Sequence, residues 1–374
     1  MRFTINREEF LKGLTTAVRA INSKNPIAAL TNLKIELNEN GLFITGSNRD
    51  LTIRTLVPYF LNEKEIIRNY QYGSVLVNLK IVDFCREVKT DEVILEVNDE
   101  TIATISSSNG NNEMTLQCIK VEEYYDVDLD PDSLEITLTK QEFSNIVNQT
   151  AFAASLKEQR LILTALNLEA GDGVLTTTAT DSARMARKET QISSNTSFIA
   201  NIPAKMMVEI DHLLEGQEYI TISIGEKKAL FSFERIVVAT TLVAGEYPNT
   251  RNIVPKICNY KLLVKSQEIL SAIRLANLVT ERENVVDLTM SPESVQISAK
   301  SSQTGSGVNK IESFQYEGSA LRISFNSEFV SSAIKALGSE EIAFEFVGEM
   351  KPFVLKNPND DSVIQIVTPV RTYY

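Results

Sequence analysis

The chain repeats itself, and the repeat limits its architecture more than any other feature. INREEFLKGLTTAV from Ile5, LTKQEFSNIVNQTAF from Leu138 and VKSQEILSAIRLANL from Val264 share one pattern. Each has a strand-like lead-in, a polar turn and then apolar residues at helical spacing. Phe10, Leu14, Ala17, Val18 and Ile21 share a face in the first; Phe143, Ile146, Val147 and Ala151 do so in the second, and Ile269, Ile273 and Ala276 in the third. That spacing predicts a helix with one buried side. The offsets are 133 and 126 residues, the length of a domain, so the 374 residues read as three tandem copies of one unit.

A second helix recurs in each third, at 79–89, 204–214 and 327–337. The rest alternates apolar and polar residues, as strands do. LKIELNENGLFITGSNRDLTIRTLV turns at Asn40-Gly41, LNLEAGDGVLTTTATDSARMARKE at Gly171-Asp172-Gly173, and VVDLTMSPESVQISAKSS at Ser291-Pro292. EYITISIGEKKALFSFE and EEIAFEFVGEMKPFVLK close their thirds with further strands. Each third therefore reads as an α+β domain with two helices and antiparallel sheets. The expected domains are 1–125, 133–247 and 258–374, parted by the acidic YYDVDLDPDSLE and the proline-containing YPNTRNIVPKI.

Several kinds of chemistry find little support. The only histidine is His212, so the commonest general base and metal ligand is scarce. Cys85, Cys118 and Cys258 form no CxxC pair, which argues against a zinc site or a disulfide framework. Asp126, Asp128, Asp130 and Asp132 alternate, but a calcium loop from Asp126 would need Gly and Glu where Pro131 and Thr137 stand. A solvated acidic linker is the expectation, with no metal and no cofactor. TGSGVNK lacks the third glycine of a dinucleotide fingerprint and reads as a hairpin loop; no P-loop and no G-x-S-x-G occurs. TATDSARMARKE sets Asp181 beside Ser182, but neighbours on a strand point to opposite faces, so they make a poor nucleophile and base. The charged start MRFTINREEF is unlike a signal peptide, and no apolar run approaches a membrane span. A cytoplasmic protein with reduced thiols is expected.

The threefold repeat, TATDSARMA, LVAGEYPNTRNIVP and the terminal IVTPVRTYY, in that order and over the whole chain, resemble the bacterial DNA sliding clamps, the beta subunit of DNA polymerase III. The resemblance implies three repeated DNA-clamp domains per chain and a head-to-tail homodimer. Six domains would close into a ring around duplex DNA, with twelve helices lining the hole. It implies no catalytic site. The partners would be a clamp loader, and DNA polymerase and other proteins carrying short clamp-binding motifs. The matching dimer-interface positions are Met114 and Leu116 on one side and Leu278 and Val279 on the other; ordinary core packing would also account for them.

The net charge of −12 argues against nucleic acid, until its distribution is considered. The segments 7–21, 79–89, 140–154, 204–214, 266–278 and 327–337 carry ten Lys or Arg and nine Asp or Glu, a net of +1. The remainder then carries −13 of the total of −12, so the acidity lies outside the helices. Lys12, Arg19, Lys80, Lys205, Arg274 and Lys335 lie opposite the apolar stripes, and Lys24 matches a family loop position that contacts DNA. Contacts of this kind are sequence-independent and salt-sensitive; a solvated charge is the alternative for each.

The resemblance also implies a groove for partner peptides. Its matching positions are Arg160, Leu163, Thr180, Ser182, Ala183, Arg184, Met185, Pro248, Asn252 and Ile253, followed by Pro352, Ile366, Thr368, Pro369, Val370 and Arg371. Leu163, Met185, Ile253, Ile366 and Val370 would wall it for a Leu or Phe anchor, with core packing as the plain alternative. Ala183 departs from a common His, Asn252 from a frequent Arg and Thr368 from an apolar residue, which puts the peptide preference in doubt. Two other readings stay open: an acidic interaction scaffold that does not encircle DNA, and a hydrolase using Ser182.

Overall fold

The computed structural model describes residues 1–99, 101–132, 134–280 and 284–372. It forms two compact units, residues 1–140 with 212–242 and residues 141–211 with 243–374. The division passes through the middle repeat because that repeat gives strands to two different sheets.

The first unit is built on thirteen antiparallel strands. Leu134–Thr139, Tyr219–Ile224, Lys228–Phe233 and Ile236–Thr241 of the middle repeat continue directly into Leu51–Val57, Gly41–Ser47 and Leu33–Asn38 of the first. At the junction Val238 stands opposite Ile53 and Val237 opposite Arg54. Helix α1 (Arg7–Val18) begins where the Asn6 side chain accepts the Glu9 N–H at 3.1 Å. Its Phe10, Leu14 and Ala17 are fully buried, whereas Ile21 falls beyond the helix and is half-buried. The helix lies so close to Gly41–Ser47 that a Cβ on Gly46 would overlap the Ala17 carbonyl. Helix α2 (Lys80–Glu87) is shorter than expected, because Val88 turns to extended backbone. The first hairpin turns at Glu39-Asn40, one residue earlier than the sequence suggested, and Gly41 opens the next strand at φ +133° against the Val57 carbonyl.

The acidic linker is docked as well as solvated. Asp126 takes Lys34 at 2.6 Å, Asp128 takes Lys228 at 2.8 Å, and Leu129 is buried against Leu230 and Ala239. Among the described residues no group of three or more His, Cys, Asp or Glu side chains is placed to hold a metal ion, and no helix is long and apolar enough to cross a membrane.

The second unit has a nine-stranded and a four-stranded sheet. Helices α3 (Lys140–Thr150) and α4 (Ala204–Leu213) belong to the middle repeat, and α5 (Ser266–Asn277) and α6 (Ser327–Leu337) to the last. α3 stops before its expected end and Ala151–Ala153 tightens into a 3-10 turn. Phe143, Ile146 and Val147 are buried, as are Ile269, Ile273 and Ala276 on α5. α6 starts on Asn326, whose side chain accepts the N–H groups of Glu328 and Phe329, and ends on Gly338 at φ +63°. Asp172 (φ +51°) and Gly173 (φ +76°) form the two-residue turn of the hairpin Ala165–Gly171 and Val174–Thr180. The loop of the third hairpin is Pro292-Glu293, again one residue from the expected Ser291-Pro292. The middle and last repeats join where Arg184–Gln191 pairs with Asp360–Val367.

Candidate peptide-binding groove

Residues 181–183 link Val174–Thr180 to Arg184–Gln191, with Ser182 at φ +79°. Asp181 holds this turn. Its Oδ1 accepts the N–H groups of Ala183 at 2.9 Å and Arg184 at 3.0 Å, and its Oδ2 accepts Arg184 Nε at 3.0 Å. Thr180 Oγ1 donates to the Arg184 carbonyl at 2.6 Å and accepts the Ser182 N–H at 3.1 Å. The pair that resembled nucleophile and base is therefore a turn whose carboxylate is occupied by its own neighbours. Among the described residues no hydrogen bond joins the exposed Ser182 hydroxyl to a base.

Arg184 belongs to the same bracket. Its guanidinium sits 4.6 Å from the Phe329 ring centroid on α6 and 5.4 Å from that of Phe152, just after α3. The side chain is 14% exposed. Asp181 and the two rings enclose it.

The apolar floor follows from strand register. Met185 stands opposite Ile366, and Ile366 opposite Val354; the three are buried together, with Val254 and Ile364 partly buried beside them. The Thr368 N–H donates to the Ala183 carbonyl at 2.9 Å, which extends the pairing past the strand end. Pro369 is buried, and Val370 is half-buried with its N–H on the Ser324 carbonyl at 2.8 Å. Leu163 is buried in the 3-10 segment Glu158–Thr164, where Arg160 is exposed and leaves helical geometry. Pro248 and Pro352 are half-buried; Ile253, Asn252, Thr368 and Arg371 are exposed. The last two residues of the IVTPVRTYY motif lie outside the described residues. Tyr247 holds the connecting segment down by accepting the Thr180 N–H at 2.9 Å, and burial pushes its phenol up to about 12.

Register thus joins Thr180, Ala183, Arg184, Met185, Ile366 and Thr368 into one constellation. Sequence reasoning missed Val354, Val254, Phe152, Phe329 and the structural part of Asp181. The Asp-x-x-Arg spacing of the Asp181 clip is the one local signal that could have pointed to it.

The seven basic residues proposed from sequence are all exposed. Lys12, Arg19, Lys24 and Lys80 belong to the first unit and Lys205, Arg274 and Lys335 to the second. Lys80 pairs with Asp83 at 3.1 Å. Of the interface positions, Leu116 is buried and Met114 partly buried in the first unit's core. Both lie on Glu113–Ile119, which pairs along its length with Ile102–Ser107 but on its other side only through Cys118 and Ile119. Residues 113–117 are therefore an open edge. Leu278 is 76% exposed, Val279 accepts the Thr304 hydroxyl at 2.7 Å, and the neighbouring strand Gly305–Ile311 is likewise an edge.

Repeated α+β modules joined through shared antiparallel sheets, with open strand edges, define a clamp-type fold. Family models agree over almost the whole chain. The DNA polymerase III beta subunit N-terminal, central and C-terminal domains match residues 1–128, 137–249 and 251–371. Two curated relatives called beta sliding clamp, from Bacillus subtilis and Staphylococcus epidermidis, are 32% and 33% identical over 100% of both chains. The solved DNA polymerase sliding clamp of Bacillus subtilis superposes with a TM-score of 0.96 at 32% identity, covering 100% of each chain. The beta subunit from Streptococcus pyogenes DNA polymerase gives 0.93 at 26% with the same coverage. The chain belongs to the DNA polymerase III beta subunit family, the beta sliding clamps.

Proposed function

We propose that this protein is a DNA sliding clamp, a cytoplasmic and non-catalytic processivity factor that closes around duplex DNA as a head-to-tail homodimer. The observation that carries the reading is the match to beta subunit models across all three repeats. Domains 1–125, 133–247 and 258–374, doubled, make six modules. A head-to-tail contact repeated with closing rotation makes a ring. The open edge at 113–117, with Met114 and Leu116 behind it, is the proposed partner of the region around Leu278, Val279 and the edge Gly305–Ile311 on a second copy. Pairing them would remove two exposed edges at once. A clamp has to slide, so its hold on DNA is topological. Lys12, Arg19, Lys24, Lys80, Lys205, Arg274 and Lys335 would supply weak, salt-sensitive phosphate contacts without reading sequence.

In the same reading, the floor of Met185, Ile366 and Val354 receives the apolar anchor of a polymerase, of a clamp loader or of another partner. The decisive experiment loads the protein onto closed-circular and linear DNA with a clamp loader and compares retention. Lasting retention on circles and rapid loss from linear ends is expected; equal loss from both would rule out encirclement. Light scattering should show a dimer, and Leu278→Asp should shift it towards monomer. Lys24→Glu with Lys80→Glu should slow loading or weaken retention at low salt.

A further inference from the structure

The groove floor is one rung of a longer strip. Residues two apart on a strand share a face, so strand register defines the rungs on the side that carries Met185. The first rung holds Thr180, Met185 and Ile366. The second holds Asn201, Asn167, Thr178, Arg187 and Ile364. The third holds Ile199, Glu169, Thr176 and Glu189. The face therefore changes from apolar to polar within one rung.

A cavity of about 600 Å³ lies over the second and third rungs, roofed by residues 245–251. This strap is pinned at three points. The Gly245 carbonyl accepts Asn201 Nδ2 at 3.1 Å, the Tyr247 hydroxyl accepts the Thr180 N–H at 2.9 Å, and Arg251 is paired with Glu169. Pro248 lines the cavity and is also one of the groove positions that the family resemblance implies. The lining carries both signs of charge, with Glu169, Asp172 and Glu246 beside Arg187 and Arg251. Arg187 donates through Nη2 to Glu189 at 2.8 Å, while its buried Nε–H has no acceptor among the described residues. Such a wall rejects a long apolar side chain and offers donors and acceptors of both kinds to an uncharged polar chain.

We propose that this cavity continues the groove and takes the uncharged, hydrophilic residues that flank a partner's apolar anchors. From the first rung to the third is about 13 Å, which an extended segment of about four residues spans. The apolar rung supplies affinity; the polar rungs select among partners by what lies beside their anchors. The inference rests on the groove reading given under Proposed function.

Fluorescence polarisation with three peptides tests it. One carries only Leu and Phe anchors; the others add a Ser-Asn-Gly-Ser extension at one end or the other. On the unmodified protein one of the two extensions should tighten binding about tenfold, the equivalent of one or two net hydrogen bonds. Thr176→Trp, which places a bulky ring across the third rung and obstructs the cavity, should abolish that gain and leave the short peptide within about twofold of its original affinity. Arg187→Gln should reduce the gain and serves as a second variant with little change in volume. If neither extension helps, or if the gain survives in both variants, the extension is refuted while the groove stands. If the short peptide does not bind the unmodified protein, the groove reading falls and the extension falls with it.

Discussion

Replacing Arg184 with Ala tests whether the turn after Thr180 is a structural clip. The side chain makes a charge-assisted hydrogen bond to Asp181 at 3.0 Å and lies over two aromatic rings. Asp181 and Arg184 side chains are 16% and 14% exposed, so solvent screens the pair little. The lost charged hydrogen bond costs about 2 kcal/mol and the two cation–ring contacts about 0.5–1 kcal/mol each, or about 3 kcal/mol together. Asp181 keeps its two backbone donors, which limits the penalty on the carboxylate left behind. The second unit has about 200 residues, so its melting temperature should fall by roughly 6–12 °C. A chain with two units need not unfold in one step. The loss is therefore best read by native-state hydrogen exchange at Val174–Thr180 and Arg184–Gln191, the strands the clip joins. Arg184→Lys should recover only part of it, since an ammonium keeps charge but not the planar stack. Asp181→Asn combined with Arg184→Ala should cost clearly less than the sum of the two single changes. A loss below about 1 kcal/mol, or full additivity in the double variant, would refute the clip.

Three further outcomes follow from the same coordinates. Gly46→Ala drives a methyl group into the Ala17 carbonyl and should destabilise the first unit by about 2–3 kcal/mol in denaturant titration; an unchanged midpoint would contradict the close approach of α1. The Cys85 thiol is buried and held up at about 12 by desolvation, so a disulfide reagent at pH 8 should modify it only after unfolding; fast labelling of the native protein would contradict its burial. Arg68, through its hydrogen bond, holds the Glu92 carboxyl below the usual carboxylate range. Its folded value is depressed, so its contribution is present above the unfolded pKa of about 4.3 and fades as pH falls through the folded value. The unmodified protein and Glu92→Gln should then differ slightly near neutrality and converge in acid, as followed by circular dichroism; a gap that widens in acid would reverse the assigned sign.

Helices and hairpins were legible because each depends on neighbours along the chain. Phe10, Leu14 and Ala17 recur at helical spacing, and all three are buried. Asp172-Gly173 is a local turn signal, and it is the turn. Helix ends were less legible. Ile21 fits the stripe of α1, but the helix stops at Val18 and Ile21 is left half-buried beyond it. The acidic linker looked like solvent-exposed charge because Lys34 and Lys228, which tie it down, are 92 and 100 residues away.

The sequence by itself determined three copies of a two-helix α+β unit and the face each helix buries, since periodicity and turn chemistry are local. Tertiary structure decided which strands meet. Nothing in Arg184–Gln191 names Asp360–Val367 as its partner, because pairing between distant strands is set by register and burial across the whole sheet. That pairing places Ile366 and Val354 beside Met185. It leaves Asp181 holding a turn, and it makes one apolar cluster from residues up to about 180 positions apart in the chain.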